Sequence, residues 1–449
     1  MVRVRTIIGI AGLSLLGCCA QLGLSEKQAP VGAMVVGDEP NAARAASSIL
    51  SFGGNAADAA AAMYFALSVT YPVAAGLGGG GICLVHDGRN GREVEFDFLA
   101  RDASGGGAYA TPGNVRGFVA LQTQFGALPW PRVVAPAEEF AGAGFPISVA
   151  LAKRLNAAQD VVRLDAGLAA EFMDESGRIK PAGSIVSNRE LAATLAAIRT
   201  QGADALYKGP IAARIAAYST SEGGTIGLGD LASYPVTVDA PRALAFGNQF
   251  VIAPRQSTGA GAFAGALLDG VLAARGLERG HSAEAAVVEA TKRALAGFGV
   301  ADLPKDLGST GFAVTDTNGE AVACAVTMNG PFGSGHTVAG AGFTLAGAPS
   351  ASKAGLASAF LTPVISMSSD RSRLFLAGAG TGGPVGTASI IDALARLGKG
   401  DALARAAIPD GDITLYDTVN AIVCQNEYCS ALTDAKSQGM AAAPVSPGQ

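Results

Sequence analysis

Charge is scarce in this chain. Only 15% of its 449 residues are Asp, Glu, Lys or Arg, against about 25% in an average soluble domain. With 32 Lys and Arg against 37 Asp and Glu, the net charge is −5 and no basic stripe occurs. That argues against a surface that tracks nucleic-acid phosphates, and no nucleic-acid partner is expected. Histidine is scarcer still: His86, His281 and His336 stand alone, and no Cys/His spacing has the form of a zinc site. No metal or other cofactor is expected. Beyond the first twenty residues no apolar run reaches the roughly eighteen residues that a spanning helix needs. Apolar residues, by contrast, make up 49% of the chain, and glycine occurs 61 times, roughly twice its usual ~7% share. The glycines follow neither a collagen period nor a linker-like block, so they mark tight turns and close backbone packing. The length suits two average domains or one large layered one.

The N-terminus reads as an export signal. Arg3 and Arg5 precede an apolar stretch, Ile7 to Leu16, that ends in Leu15-Leu16-Gly17-Cys18. The last four residues resemble a bacterial lipobox, which implies removal of residues 1–17 and lipidation of Cys18. An ordinary secretory signal cut after Ala20 is the alternative. The lipobox reading places the mature protein on the periplasmic side of a bacterial envelope, held to the outer membrane by its lipid alone. Export permits disulfides. Cys424 and Cys429 could close a small loop, whereas Cys83 and Cys324 sit in apolar, strand-like runs and read as buried free thiols.

Residues 53–69 predict a buried helix, with Asn55 as N-cap and Asp58 in the first turn. The glycine run Gly76 to Gly81 follows, then a strand through Ile82–His86. Such a run could bind an anion or simply allow backbone to pack on backbone. From about 115 to 220 the pattern is helical, with charged faces at Val149–Asp160 and Ser187–Thr200. Pro235 to Ile252 reads as extended and 260–275 as an apolar helix. A turn-prone segment, Leu303 to Leu307, leads into strands over Gly311–Asp316 and Ala321–Met328, joined through Asn318-Gly319. Further strands are expected near 336–345 and 373–378, a helix over 385–397, and a frayed tail over 440–449.

Three clusters in order carry more information than any one alone. They are Gly53-Gly54-Asn55-Ala56-Ala57-Asp58 with Gly76-Leu77-Gly78-Gly79-Gly80, then Gly308-Ser309-Thr310-Gly311-Phe312 with Thr327-Met328-Asn329, and finally Gly382-Gly383 before a helix. Together they resemble the gamma-glutamyltransferase family of N-terminal-nucleophile hydrolases, over roughly residues 30–430. The resemblance implies an α+β fold, a four-layer αββα sandwich made as one precursor (a zymogen). It further implies autoproteolysis before a hydroxyl residue, giving a large-subunit part, 18–308, and a small-subunit part, 309–449, that stay associated. A hydroxyl is a weak nucleophile, but the freed α-amine can serve as its base. That amine's ordinary pKa of roughly 7.7–8.0 leaves part of it neutral without any histidine.

The family's Thr-Thr-His-aromatic pattern reads Ser309-Thr310-Gly311-Phe312 here. Aligning the aromatic puts Ser309 at the nucleophile, Thr327 at the supporting threonine and Asn329 at a substrate-binding position, with Thr310 a rival nucleophile. Ordinary strand-start hydroxyls would look the same. Gly382 and Gly383 match the glycines whose N–H groups form the oxyanion hole, though a helix-entry turn would also use them. Recognition departs further. The stretch Leu345 to Ala351 lacks the family's carboxylate, Ala359-Phe360 replace its Ser-Ser pair, and Leu99 stands opposite its Arg, with Arg101 two residues later. The expected activity is glutathione hydrolase or acyltransferase chemistry on γ-glutamyl amides. An acylase for a different amide, or an unprocessed lipoprotein using the fold as a binding module, is the alternative.

Overall fold

The computed structural model describes residues 32–256, 259–277, 283–298, 303–350, 356–397, 416–425, 428–433 and 439–444. The expected signal segment 1–17, Cys18, Ser257, Thr258, Ala351 and residues 445–449 lie outside the described residues.

Seventeen strands are described. In chain order the first eight are β1 (Met34–Gly37), β2 (Gly80–Asp87), β3 (Arg92–Phe98), β4 (Arg101–Asp102), β5 (Ala110–Thr111), β6 (Phe145–Pro146), β7 (Ile185–Val186) and β8 (Thr237–Asp239). Then come β9 (Arg242–Phe246), β10 (Gln249–Ala253), β11 (Ser309–Thr315), β12 (Ala321–Thr327) and β13 (Thr362–Ser368). The last are β14 (Leu374–Thr381), β15 (Thr418–Gln425), β16 (Tyr428–Thr433) and β17 (Met440–Ala442). One sheet runs β17-β1-β11-β12-β2-β3-β8 and the other β16-β15-β14-β13-β10-β9, with every neighbouring pair antiparallel.

The sheets pack face to face. Val36, Leu84, Ala313 and Ala323 of the first sheet form one buried cluster with Ile252, Ile365, Ala377 and Ile422 of the second. Helices cover both outer faces, including Ala56–Thr70 on the first and Gly259–Leu277 and Pro384–Leu397 on the second. This is the expected four-layer αββα sandwich. Strands buried on both faces read as continuous apolar runs, as in Ala321-Val322-Ala323-Cys324-Ala325-Val326 of β12.

The helix expected over 53–69 spans Ala56–Thr70, and every residue in it is buried. Asn55 caps it: its side chain accepts the Asp58 N–H at 3.0 Å, and Asp58 accepts the Asn55 N–H at 3.2 Å. The run Gly76 to Gly81 is packed rather than open. The Gly79 carbonyl accepts from the N–H groups of Gly113 and Asn114, and that of Gly78 accepts from Ala346.

Four expectations need correction. Residues 336–345 form no strand; a single bridge joins Thr337 to Thr344, because Gly340 and Gly342 adopt positive φ and break the extended backbone. Residues 440–442, expected in a frayed tail, form β17 and pair with β1. Cys83 and Cys324 are not free thiols: they face each other in register on β2 and β12 and form a disulfide. A separation of 241 residues concealed that pairing from the sequence. Finally, the helix Val149–Ala157 buries Arg154 instead of displaying it on a charged face. Cys424 and Cys429 do form a disulfide, across the β15–β16 pair.

A pH dependence follows from the buried end of the Ala56–Thr70 helix. Glu320 accepts the Ala57 N–H at 2.8 Å beside Asp316, which accepts the Ala56 N–H at 3.2 Å. Burial, and then the neighbouring Asp316 charge, push the Glu320 carboxyl from its ordinary 4.5 up to about 8. The folded state therefore holds this proton more tightly than the unfolded one, and its contribution is lost as pH rises from about 4.5 to about 8. Melting temperatures measured across that range should fall for the wild type relative to Glu320→Gln, which has no proton to lose. Parallel curves would contradict the assignment.

Candidate functional site

The site is built where the turn-prone segment enters β11. Ser309, the first residue of that strand, lies opposite Thr327 of β12. It is 2% exposed, and its Oγ accepts the Gly382 N–H at 3.0 Å. Gly308 before it has φ +61°, and a Cβ there would stand 1.9 Å from the Gly330 carbonyl oxygen. No side chain fits that position.

The Gly308 carbonyl is held by two donors. The Met328 N–H reaches it at 2.8 Å and the Thr327 hydroxyl at 3.1 Å; the hydroxyl also lies 3.3 Å from the Leu307 carbonyl. Thr327 Oγ1 in turn accepts the Asn329 N–H at 2.9 Å. The Asn329 amide donates to the Gly347 carbonyl at 2.9 Å, and its oxygen accepts from Ser358 at 3.4 Å. The peptide bond between Gly308 and Ser309 is thus flanked by a hydroxyl on one side and a polarised carbonyl on the other.

Thr310 is occupied elsewhere. Neighbouring strand residues point to opposite faces, and the Thr310 hydroxyl donates at 2.7 Å to Asp38, which also accepts from Asn420 at 2.8 Å and Thr418 at 3.2 Å. Burial raises the Asp38 pKa, while these hydrogen bonds and the charge of Arg154 work to lower it. Ser309, not Thr310, meets the Gly382 N–H.

Sequence reasoning missed three contributors. One is the Met328 backbone N–H. The others are Arg154 and Asp306, an ion pair whose guanidinium Nε lies 3.1 Å from the carboxylate. A second, shorter contact joins the same two side chains. Asp306 accepts the Gly308 N–H at 2.8 Å, and Arg154 Nη1 donates to the Ser309 carbonyl at 3.0 Å. Burial opposes the Arg154 charge, but Asp306 and Tyr71 outweigh it and hold the guanidinium's pKa above its ordinary value. Asp306 stands two residues before the glycine, which is the one signal the sequence offered.

Other expected residues are not brought to the nucleophile. Arg101 lies 4.0 Å from Asp97, 3.4 Å from Thr237 and 5.7 Å from the Tyr234 ring centre. Among the described residues it makes no hydrogen bond or ion pair with Ser309, Thr327 or Asn329. Gly383 follows Gly382 at the entry to the helix Pro384–Leu397, and its carbonyl accepts the Thr387 N–H. The stretch around Ser350 borrows a carboxylate: Asp102 accepts from the Ser350 N–H at 3.1 Å and from its hydroxyl at 2.9 Å. Phe360 is fully buried against Phe263.

Residues 42–302 match the sequence model of the family described as Gamma-glutamyltranspeptidase. That match ends before Ser309. Glutathione hydrolase 2 of Arabidopsis thaliana is 33% identical over 282 residues, which is 58% of this chain and 48% of that protein. The chain thus spans about half the length of that relative. The glutathione hydrolase proenzyme of Pseudomonas aeruginosa is 30% identical over 379 residues, covering 70% of this chain and 67% of the relative. The solved cephalosporin acylase from Bacillus halodurans superposes with a TM-score of 0.74 at 19% identity, over 99% of each chain, and so shares the fold. On the family match and the Pseudomonas alignment together, the chain belongs to the gamma-glutamyltranspeptidase family.

Proposed function

We propose that this protein is an exported precursor that cleaves its own Gly308–Ser309 bond and then uses Ser309 as an N-terminal nucleophile on γ-glutamyl amides such as glutathione. The observation that carries this reading is the junction itself, with the Gly308 carbonyl held by Met328 and Thr327 while the Ser309 hydroxyl rests on the Gly382 N–H. In the first step Ser309 Oγ bonds to the Gly308 carbonyl carbon as the peptide C–N bond breaks, and the released amine takes up the hydroxyl proton. Water then hydrolyses the ester, leaving a Gly308 carboxylate and a free Ser309 α-amine. In the second reaction that amine is the base for Ser309 Oγ. The Gly382 and Gly383 N–H groups would stabilise the oxyanion. Water or an amine acceptor completes hydrolysis or transfer.

Both parts of the chain contribute strands to both sheets, so parts 18–308 and 309–449 would remain together. The glutamyl head is the weaker point. Residues 345–350 carry no carboxylate and Ala359-Phe360 offer no hydroxyl pair, which supports slow turnover at high KM with reduced dependence on the substrate's α-amine. The same observation favours a second reading, an acylase for a different amide. Anchoring through Cys18 belongs to this proposal as well. Cys18→Ser should shift the protein from the membrane fraction to the soluble one, and continued detergent dependence would exclude the lipid anchor.

N-terminal sequencing of active protein should find a chain beginning Ser-Thr-Gly-Phe, and Ser309→Ala should show none. A start at Thr310 would transfer the role to that residue. Thr310→Val should instead lower stability by about 1–3 kcal/mol in denaturant titrations, because the buried Asp38 loses a donor. Comparing a γ-glutamyl anilide with its glutaryl counterpart tests the substrate reading. Similar kcat/KM for the two is the expected result; turnover of simple acyl anilides with neither γ-glutamyl nor glutaryl activity would favour the acylase.

A further inference from the structure

A cavity of about 170 Å³ lies at the far end of the sandwich from Ser309. It is lined by Thr315, the last residue of β11, about 20 Å from Ser309 at the rise of a strand. Along β11 the residues Ser309, Gly311 and Ala313 face the second sheet. The strand period of two gives Thr315 the same direction, into the cavity. Thr315 is 1% exposed, and its hydroxyl has no hydrogen-bond partner among the described residues. Leaving a buried hydroxyl unpaired is costly, so this one calls for a partner from outside the chain.

The walls differ in chemistry. Asp316 and Glu320 stand on the side of the first sheet. Asp316 accepts the N–H groups of Ala56, Asn318 and Glu320 at 3.2, 2.8 and 3.0 Å. That leaves open one of a carboxylate's roughly four acceptor positions. Glu320 accepts from the Ala57 N–H and the Asn55 amide, and Arg89, itself paired with Asp87, stands 3.9 Å from it. Because Glu320 holds its proton up to about 8, the negative charge of this wall near neutrality is that of Asp316. On the side of the second sheet lie Arg373, Phe375 and the Cys424–Cys429 disulfide. The Arg373 guanidinium is 5.5 Å from the Phe375 ring centre and has no carboxylate partner among the described residues.

One charge of each sign, a free hydroxyl and an apolar surface therefore border a single space. A cation or an anion alone would satisfy one wall and leave the other; a zwitterion satisfies both. The volume is close to that of a cavity known to accept a benzene-sized molecule, ~150 Å³, so a molecule of roughly six to nine heavy atoms fits. We propose that this cavity binds a small apolar α-amino acid. Its ammonium group meets Asp316 and the Thr315 hydroxyl, its carboxylate meets Arg373, and its side chain packs on Phe375 and the disulfide. Such a site requires neither cleavage at Ser309 nor acyl transfer.

Calorimetric titration of the full chain with L-valine tests this, whether or not the chain is cleaved. Wild type should bind valine saturably and roughly ten-fold more tightly than either of two analogues. Isobutylamine lacks only the carboxylate, and isovalerate lacks only the ammonium group. Arg373→Gln, at an exposed position, should lose the preference over isobutylamine and keep that over isovalerate. Thr315→Val should weaken valine binding several-fold, yet melt no lower than wild type without ligand, because it removes only an unpaired hydroxyl. A lower melting temperature with unchanged valine affinity would instead make Thr315 a structural residue and overturn its role. No saturable valine binding below about 10 mM overturns the proposal. So does equal affinity for valine and both analogues, or binding that neither variant alters.

Discussion

A polar side chain at the head of a strand buried on both faces is the constraint around which this molecule is organised. Every residue of β11 is buried between the helical layer and the second sheet. A hydroxyl there cannot rely on water, and an unsatisfied one is costly. The N–H of Gly382, beyond the end of β14 in the opposite sheet, meets the Ser309 hydroxyl. The contact needs both sheets in place, so the sandwich itself positions the group.

The same demand explains the neighbouring polar residues. Asp38, just after β1, collects hydroxyl and amide donors from β11 and β15, and the Asn420 side chain also donates to the Gly311 carbonyl. These contacts tie three strands of two sheets into one unit beneath the junction. Arg154 does the corresponding work from the helix Val149–Ala157, bridging Asp306 and the Ser309 carbonyl. Buried charges are tolerated where they are paired and hydrogen-bonded, and here the pair holds both sides of the Gly308–Ser309 junction.

Individual elements were legible in the sequence for local reasons, whereas the layer order and the junction at Ser309 followed from the family resemblance. The buried helix after Asn55, the hairpin around Asn318-Gly319 and the helix after Gly383 all announce themselves through caps, turn residues and apolar runs within a few positions. What remained hidden is non-local. Arg154 lies on a helix whose composition resembles a solvated surface, and only the fold brings Asp306, 152 residues later, against it. The Cys83–Cys324 pair depends on strand order, which apolar patterning does not encode. Strand β13, at Thr362–Ser368, escaped for another reason: Pro363 and three polar side chains interrupt an otherwise apolar run. The two competing hydroxyls could be separated only once the strand's facing was known.

The Cys83–Cys324 disulfide joins a residue before the Gly308–Ser309 junction to one after it. Opening that peptide bond would therefore not create two molecules. The pieces would remain one covalent body even in denaturant, and their reassociation would be a first-order event independent of protein concentration, as for an intact chain. Maturation would alter the chain's ends without exposing it to dilution. A peptide link would have been exchanged for a sulfur one.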